Sequence, residues 1–145
     1  MAEPILDIRD LTVDLPANAD RRHAIEGVSL QLYPDEILCV VGESGSGKSV
    51  TARAAMGLLD DRLKISRGQI LLEGEDLVRA SPDRLRAVRG QRVSMVFQEP
   101  MTALNPLMTI GDQIDEVIAT HLDLDRQERA RRTEELLASV RLPEP

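Results

Sequence analysis

Gly42-Glu43-Ser44-Gly45-Ser46-Gly47-Lys48-Ser49 matches the pattern Gly-x-x-x-x-Gly-Lys-[Ser/Thr] in full. The chemistry such a run performs is capture of a phosphate chain. Its glycines let the backbone curl so that successive N–H groups point inward at an anion, which a Cβ would obstruct. A helix beginning at its end adds the positive pole of its dipole. Lys48 would then reach the β- and γ-phosphates of a nucleotide, and the Ser49 hydroxyl would bind Mg²⁺. Chance occurrence of the pattern in a chain of this length is on the order of one in a thousand. Gly42 through Val50 is therefore the expected nucleotide-contacting stretch.

The flanking elements have the character this motif requires. Ile37-Leu38-Cys39-Val40-Val41 is a continuous apolar run, which predicts a strand buried on both faces, as in parallel sheets. Cys39 is then a small buried hydrophobe. Gly47 to Leu59 predicts a helix with Val50, Ala54, Ala55 and Leu58 on one face. Upstream, Ile5 to Leu15 and Ala24 to Tyr33 read as strands on either side of the polar turn Pro16 to Arg22, an antiparallel pair at one edge.

Downstream, Gly68 to Glu73 reads as a short strand ending at Gly74, and Ser81-Pro82 opens a short helix to Arg89 closed by Gly90. Arg92 to Phe97 predicts another strand, followed by a proline-bearing loop from Gln98 to Met108. Thr109 caps a helix with Ile110, Ile114, Val117 and Ile118 on one face. Asp125 and Glu128 form a capping-box start for the last helix, with Leu136, Leu137 and Val140 as its apolar stripe. Its face of Arg126, Arg129, Arg131, Arg132, Glu134 and Glu135 is mixed in sign and reads as solvated.

Composition narrows the partners. A net charge of −7 repels polyanions, so nucleic acid and anionic lipid are poor partners and an anionic nucleotide needs a local site. Aromatic residues make up 1% of the chain, leaving a core of Leu, Ile, Val, Ala and Met in a single domain. A single cysteine leaves no intrachain disulfide or Cys-x-x-Cys pair and suits a reducing compartment. The N-terminus lacks the basic and apolar regions of a leader, and no apolar run approaches the ~18 residues a membrane span needs. Met56, Met95, Met101 and Met108 have no metal-ligand spacing, and Asp60-Asp61, Glu73, Glu75 and Asp76 read as turn acids.

A P-loop alone does not choose among GTPases, small-molecule kinases, motors and transport ATPases. A second segment does: Phe97-Gln98-Glu99-Pro100-Met101-Thr102-Ala103-Leu104-Asn105-Pro106, about fifty residues further on. It resembles the Q-loop of ABC-transporter nucleotide-binding domains, in the form found in oligopeptide, dipeptide and nickel importers. The P-loop with its following Val50-Thr51 is similar to the same group, and the resemblance runs from Ile5 to Pro145.

The resemblance implies an α/β P-loop NTPase fold, here residues 1–145 as the N-terminal portion of one ABC-type domain, with an antiparallel β edge and the start of a helical subdomain. It implies ATP and Mg²⁺ as cofactors, with Gln98 contacting the metal and the attacking water alongside Lys48. It also implies membrane permease subunits whose coupling helix docks near residues 99–108, a second ATP-binding subunit, and a peripheral place at the cytoplasmic face of the membrane without insertion. The transported solute would be a peptide or a related small solute.

Two departures from the family pattern bear on mechanism. No Phe, Tyr or Trp precedes Tyr33, so the aromatic residue that usually stacks on adenine in the first hairpin is replaced by Leu15, with His23 as a substitute or as a turn residue without a role. The Leu-Ser-Gly-Gly-Gln signature, the Walker B Asp with its Glu, and the switch histidine do not occur in these residues, and His121 falls too early to be the last of these. The chain by itself is therefore expected not to turn over ATP, and an uncovered sheet edge is expected to favour aggregation. Two alternatives stay open: a non-hydrolysing remnant that binds nucleotide or a permease, and a different P-loop enzyme, which the lack of an Asn-Lys-x-Asp guanine motif weakens.

Overall fold

The structure is a computed structural model that describes residues 3–99 and 104–140. It divides into two compact units, Met1–Arg86 and Ala87–Pro145.

The first unit is built on an antiparallel sheet of β1 (Leu6–Asp14), β2 (His23–Leu32), β3 (Lys64–Leu72) and β4 (Glu75–Asp76), in the order β2-β1-β3-β4. The hairpin expected around the Pro16–Arg22 turn forms, with Leu6 opposite Leu32 and Asp14 opposite His23. β1 is one of the two inner strands, and its Ile8, Leu11 and Val13 are buried with Ile25 of β2 and Ile70 of β3. The apolar alternation of β1 changes phase between Ile8 and Leu11, and a register shift occurs there against both neighbours. Asp10 sits at that bulge with φ +50°, its N–H donating to Ser29 Oγ at 2.8 Å and its carboxylate paired with Arg67 at 2.5 Å. An extra residue in one strand turns the following side chains over, which returns Leu11 and Val13 to the core. β3 starts at Lys64, earlier than the expected Gly68, because Asp14 and Val13 offer partners to Lys64 and Ile65.

The helix after the P-loop, α1 (Lys48–Ala55), ends before the expected Leu59, with Gly57 at φ +61° just beyond it. Thr51, Ala54 and Ala55 face the core. A short α2 (Pro82–Val88) follows the sheet, with Ser81 Oγ accepting from Arg84 N at 3.2 Å as a cap.

Two expected strands do not form. Ile37–Val41 and Arg92–Phe97 lie outside regular structure except for an isolated bridge between Arg89 and Val93. Ile37 is 89% exposed, Val41 90% and Val96 94%, and Cys39 is exposed and not buried. A strand is stable only with hydrogen-bonded neighbours along its length, and no described strand pairs with either run. Apolar content alone does not supply a ladder. The described sheet is thus the antiparallel edge, and these two runs carry the composition of parallel strands without the pairing.

In the second unit α3 (Ile110–His121) and α4 (Arg126–Ser139) pack on one another, with Ile118 and Thr133 buried. Thr109 caps α3 by accepting from Asp112 N at 3.1 Å. Asp125 Oδ1 accepts from Gln127 N and Glu128 N at 2.8 and 2.9 Å, and Glu128 Oε2 accepts from Asp125 N at 3.0 Å, the reciprocal box expected from the sequence. Arg129 pairs with Asp115 across the two helices at 2.9 Å. Of the expected apolar faces, Ile110, Val117, Leu136 and Val140 remain exposed. No helix of the described residues is long and apolar enough to cross a membrane.

Candidate functional site

The P-loop is a closed curl centred on Lys48. Its Nζ donates to Gly42 O at 2.7 Å, to Glu43 O at 2.8 Å and to Ser46 Oγ at 3.3 Å. Ser46 N donates to Glu43 O at 3.2 Å, which tightens the turn. The ammonium therefore lies inside the loop, where three oxygens fix it. A Cβ on Gly42 would meet Ser46 Oγ at 2.8 Å and come within 4.0 Å of Lys48 Nζ, so a side chain at position 42 would crowd the Ser46 hydroxyl that Lys48 engages.

Gly47 joins this loop to the sheet. It is the residue before α1, at φ +98°, a conformation that L side chains rarely adopt. A Cβ there would run into the Ile25 side chain and approach Ala24 O at 3.4 Å, so the loop rests directly on the start of β2. Gly47 O accepts from Thr51 N at 2.9 Å and Thr51 Oγ1 at 3.1 Å, which sets the axis of α1. The N–H groups of Lys48, Ser49 and Val50 in its first turn have no intrahelical acceptor by geometry and point out of the helix start. Ser49 is exposed, and its hydroxyl is a hard oxygen donor of the kind Mg²⁺ takes. Among the described residues no cluster of three or more His, Cys, Asp or Glu could hold a metal ion.

Gln98 belongs to the second unit, exposed and outside helix and strand. The segment expected to receive a permease falls partly on residues 100–103, which lie outside the described residues. Its remainder is braced by Gln113, which sequence reasoning passed over. Gln113 Oε1 accepts from Asn105 N at 2.9 Å, and Nε2 donates to Asn105 O, Met108 O and Thr109 O at 3.2, 3.3 and 3.4 Å. Leu107 N donates to Asn105 Oδ1 at 3.0 Å, and the Leu107 side chain is 92% exposed. One carboxamide thus holds a turn that presents a leucine to solvent. A glutamine within a helix carries no sequence signal for that role.

His23 is neither free nor idle. Its Nδ1 lies 2.7 Å from Asp14 Oδ1, and Ser66 Oγ donates to the same oxygen at 2.9 Å. A carboxylate can only accept, so Nδ1 carries the proton. The Ser66 hydrogen bond first, and His23 second, hold the Asp14 carboxyl below its ordinary value of 3.8. A depressed carboxylate stabilises the fold above its unfolded value, and that contribution is lost as pH falls through the folded one. Acid titration followed by circular dichroism is expected to show a loss of stability below about pH 3.8 that Asp14→Asn, less stable at neutral pH, lacks.

Residues 25–145 match the family model described as ABC transporter. The chain is 46% identical over 145 residues to a probable D,D-dipeptide transport ATP-binding protein of Escherichia coli, covering 99% of this chain and 44% of that protein. It is 40% identical to a dipeptide transport ATP-binding protein of Bacillus subtilis, covering 99% and 43%, and 42% identical to an oligopeptide transport ATP-binding protein of the same organism, covering 97% and 40%. The chain therefore spans less than half the length of these relatives. Among solved structures, a bacterial ABC transporter cassette in dimeric form superposes with a TM-score of 0.78 at 22% identity, over 96% of this chain and 58% of that one. An ATP-binding cassette dimer in a post-hydrolysis state with ADP and Pi gives 0.75 at 23%, over 96% and 58%. Both show the fold.

Proposed function

Since the chain belongs to the ABC transporter family, we propose that it is the nucleotide-binding N-terminal portion of the ATP-binding subunit of an importer for peptides or a related small solute. The observation that carries this reading is the P-loop: a Lys48 ammonium seated among Gly42, Glu43 and Ser46, at the mouth of a helix whose first N–H groups are unengaged. Gly42 to Val50 would wrap the phosphates of ATP, with Lys48 on the β- and γ-phosphates and Ser49 on Mg²⁺. Gln98 would meet the metal and the attacking water, since a carboxamide ligates through oxygen and donates through nitrogen. Identity to peptide-transport ATP-binding proteins supports the solute class.

Hydrolysis would need a second ATP-binding subunit facing the first, and coupling would need permease subunits at the cytoplasmic face of the membrane, docked near residues 99–108. Residues 1–145 by themselves would bind Mg-ATP without turning it over, because positioning of the attacking water needs groups these residues do not contain. Steady phosphate release by the purified chain, abolished in Lys48→Ala, overturns that statement. The docking surface is tested in membranes carrying the permease: Leu107→Asp is expected to lower recovery of the chain on those membranes at least about tenfold, as burying an unpaired charge predicts. Lys48→Ala should leave recovery unchanged. Equal recovery of wild type and Leu107→Asp removes the 104–108 turn from the docking surface.

A further inference from the structure

We propose that His23 and Ser66, both held on one carboxylate oxygen of Asp14, are positioning residues for the nucleoside end of the bound nucleotide, acting on affinity for base and ribose and leaving the phosphate cradle alone. This rests on the P-loop reading above and adds to it. Asp14 is the last residue of β1, His23 the first of β2, and Ser66 lies near the start of β3, so one oxygen gathers three strand ends. The clamp closes the base of the loop from Leu15 to Arg22, where Leu15 N donates to Arg22 O at 2.9 Å. One and two residues beyond His23, the Ala24 carbonyl and the Ile25 side chain abut Gly47. The loop and the phosphate cradle are therefore two ends of one short connection.

The loop itself bounds a shallow depression of about 430 Å³, with Leu15, Pro16 and Ala17 as an apolar wall and Asp20, Arg21 and Arg22 as a polar rim. Flat apolar surface beside a few polar groups suits a heterocycle. With its ends tied by Asp14, the loop meets a ligand already ordered. Without the tie, binding must also order the loop, which weakens affinity for any ligand that uses it. A ligand made of phosphate alone, such as tripolyphosphate, does not use it.

Calorimetric titration of the full chain with Mg-ATP and, separately, with magnesium tripolyphosphate distinguishes the outcomes. His23→Ala and Ser66→Ala are expected to weaken Mg-ATP about tenfold, the scale of one lost hydrogen bond to a charged group, with tripolyphosphate unchanged. His23→Asn, whose amide can donate where Nδ1 does, should recover most of the difference. Unchanged Mg-ATP affinity in both alanine variants overturns the proposal, as does an equal loss for both ligands, which would mark a general disturbance of the fold. Wild type that binds neither ligand instead sinks the P-loop reading, and the inference falls with it.

Discussion

Replacing Lys48 with alanine should cost the chain at least about a hundredfold in affinity for Mg-ATP, because a charge-assisted contact to two phosphates is lost at once. The same substitution should leave the fold nearly untouched. The oxygens that Nζ engages, on Gly42, Glu43 and Ser46, belong to exposed residues, so water replaces the ammonium there without burying an unsatisfied group. Surface substitutions of this kind shift stability by about 0.5 kcal/mol or less. Calorimetry for binding and a thermal melt for folding, on the same preparation, separate the two effects. Binding that persists within threefold of wild type would remove Lys48 from the phosphate site.

Gly68→Ala is expected to produce the opposite pattern, with folding lost first. Gly68 stands at φ +98° in β3, across from the bulge in β1, and a Cβ would lie 2.6 Å from Arg9 O, Asp10 O and Leu11 Cα. All three are backbone atoms of β1, paired on both sides, and none can swing aside. The backbone conformation costs about 1–2 kcal/mol for a residue with a Cβ, and the overlap adds about 1–3 kcal/mol more. Against a total stability of roughly 5–15 kcal/mol for a domain, that is a large share. Gly74→Ala supplies the control, since Gly74 also has positive φ, +85°, but nothing within 4 Å of its Cβ, so only the first cost applies. Urea unfolding that ranks the two variants equally would show that β1 yields at the bulge.

What the sequence disclosed and what it withheld follow from how far each signal reaches along the chain. The P-loop was legible because its glycines, lysine and serine act within eight residues, and backbone curl and helix start are both local. The caps at Thr109 and Asp125 were legible for the same reason. The Asp14–His23–Ser66 clamp was not, since Ser66 is 52 positions from Asp14 and meets it only through the pairing of β1 with β3. Ile37–Val41 misled in the other direction: composition declares what a segment tolerates, whereas a strand exists only when another chain segment bonds to it. The bulge at Asp10 left a trace in the broken alternation of β1, visible once the register is known.

The order of the strands carries a consequence for synthesis. The four described strands, β2-β1-β3-β4, all lie between Leu6 and Asp76, so the pairings they make with one another are available once that stretch has left the ribosome. The P-loop and α1 fall in the connection between β2 and β3, and closing the sheet fixes both ends of that connection. A nascent chain thus gains an anchored phosphate loop while the helices α3 and α4 are still being made. Ribosome-bound intermediates stalled well past residue 76 should already present the Gly47–Ile25 contact, and with it the loop from Gly42 to Ser49 seated on β2.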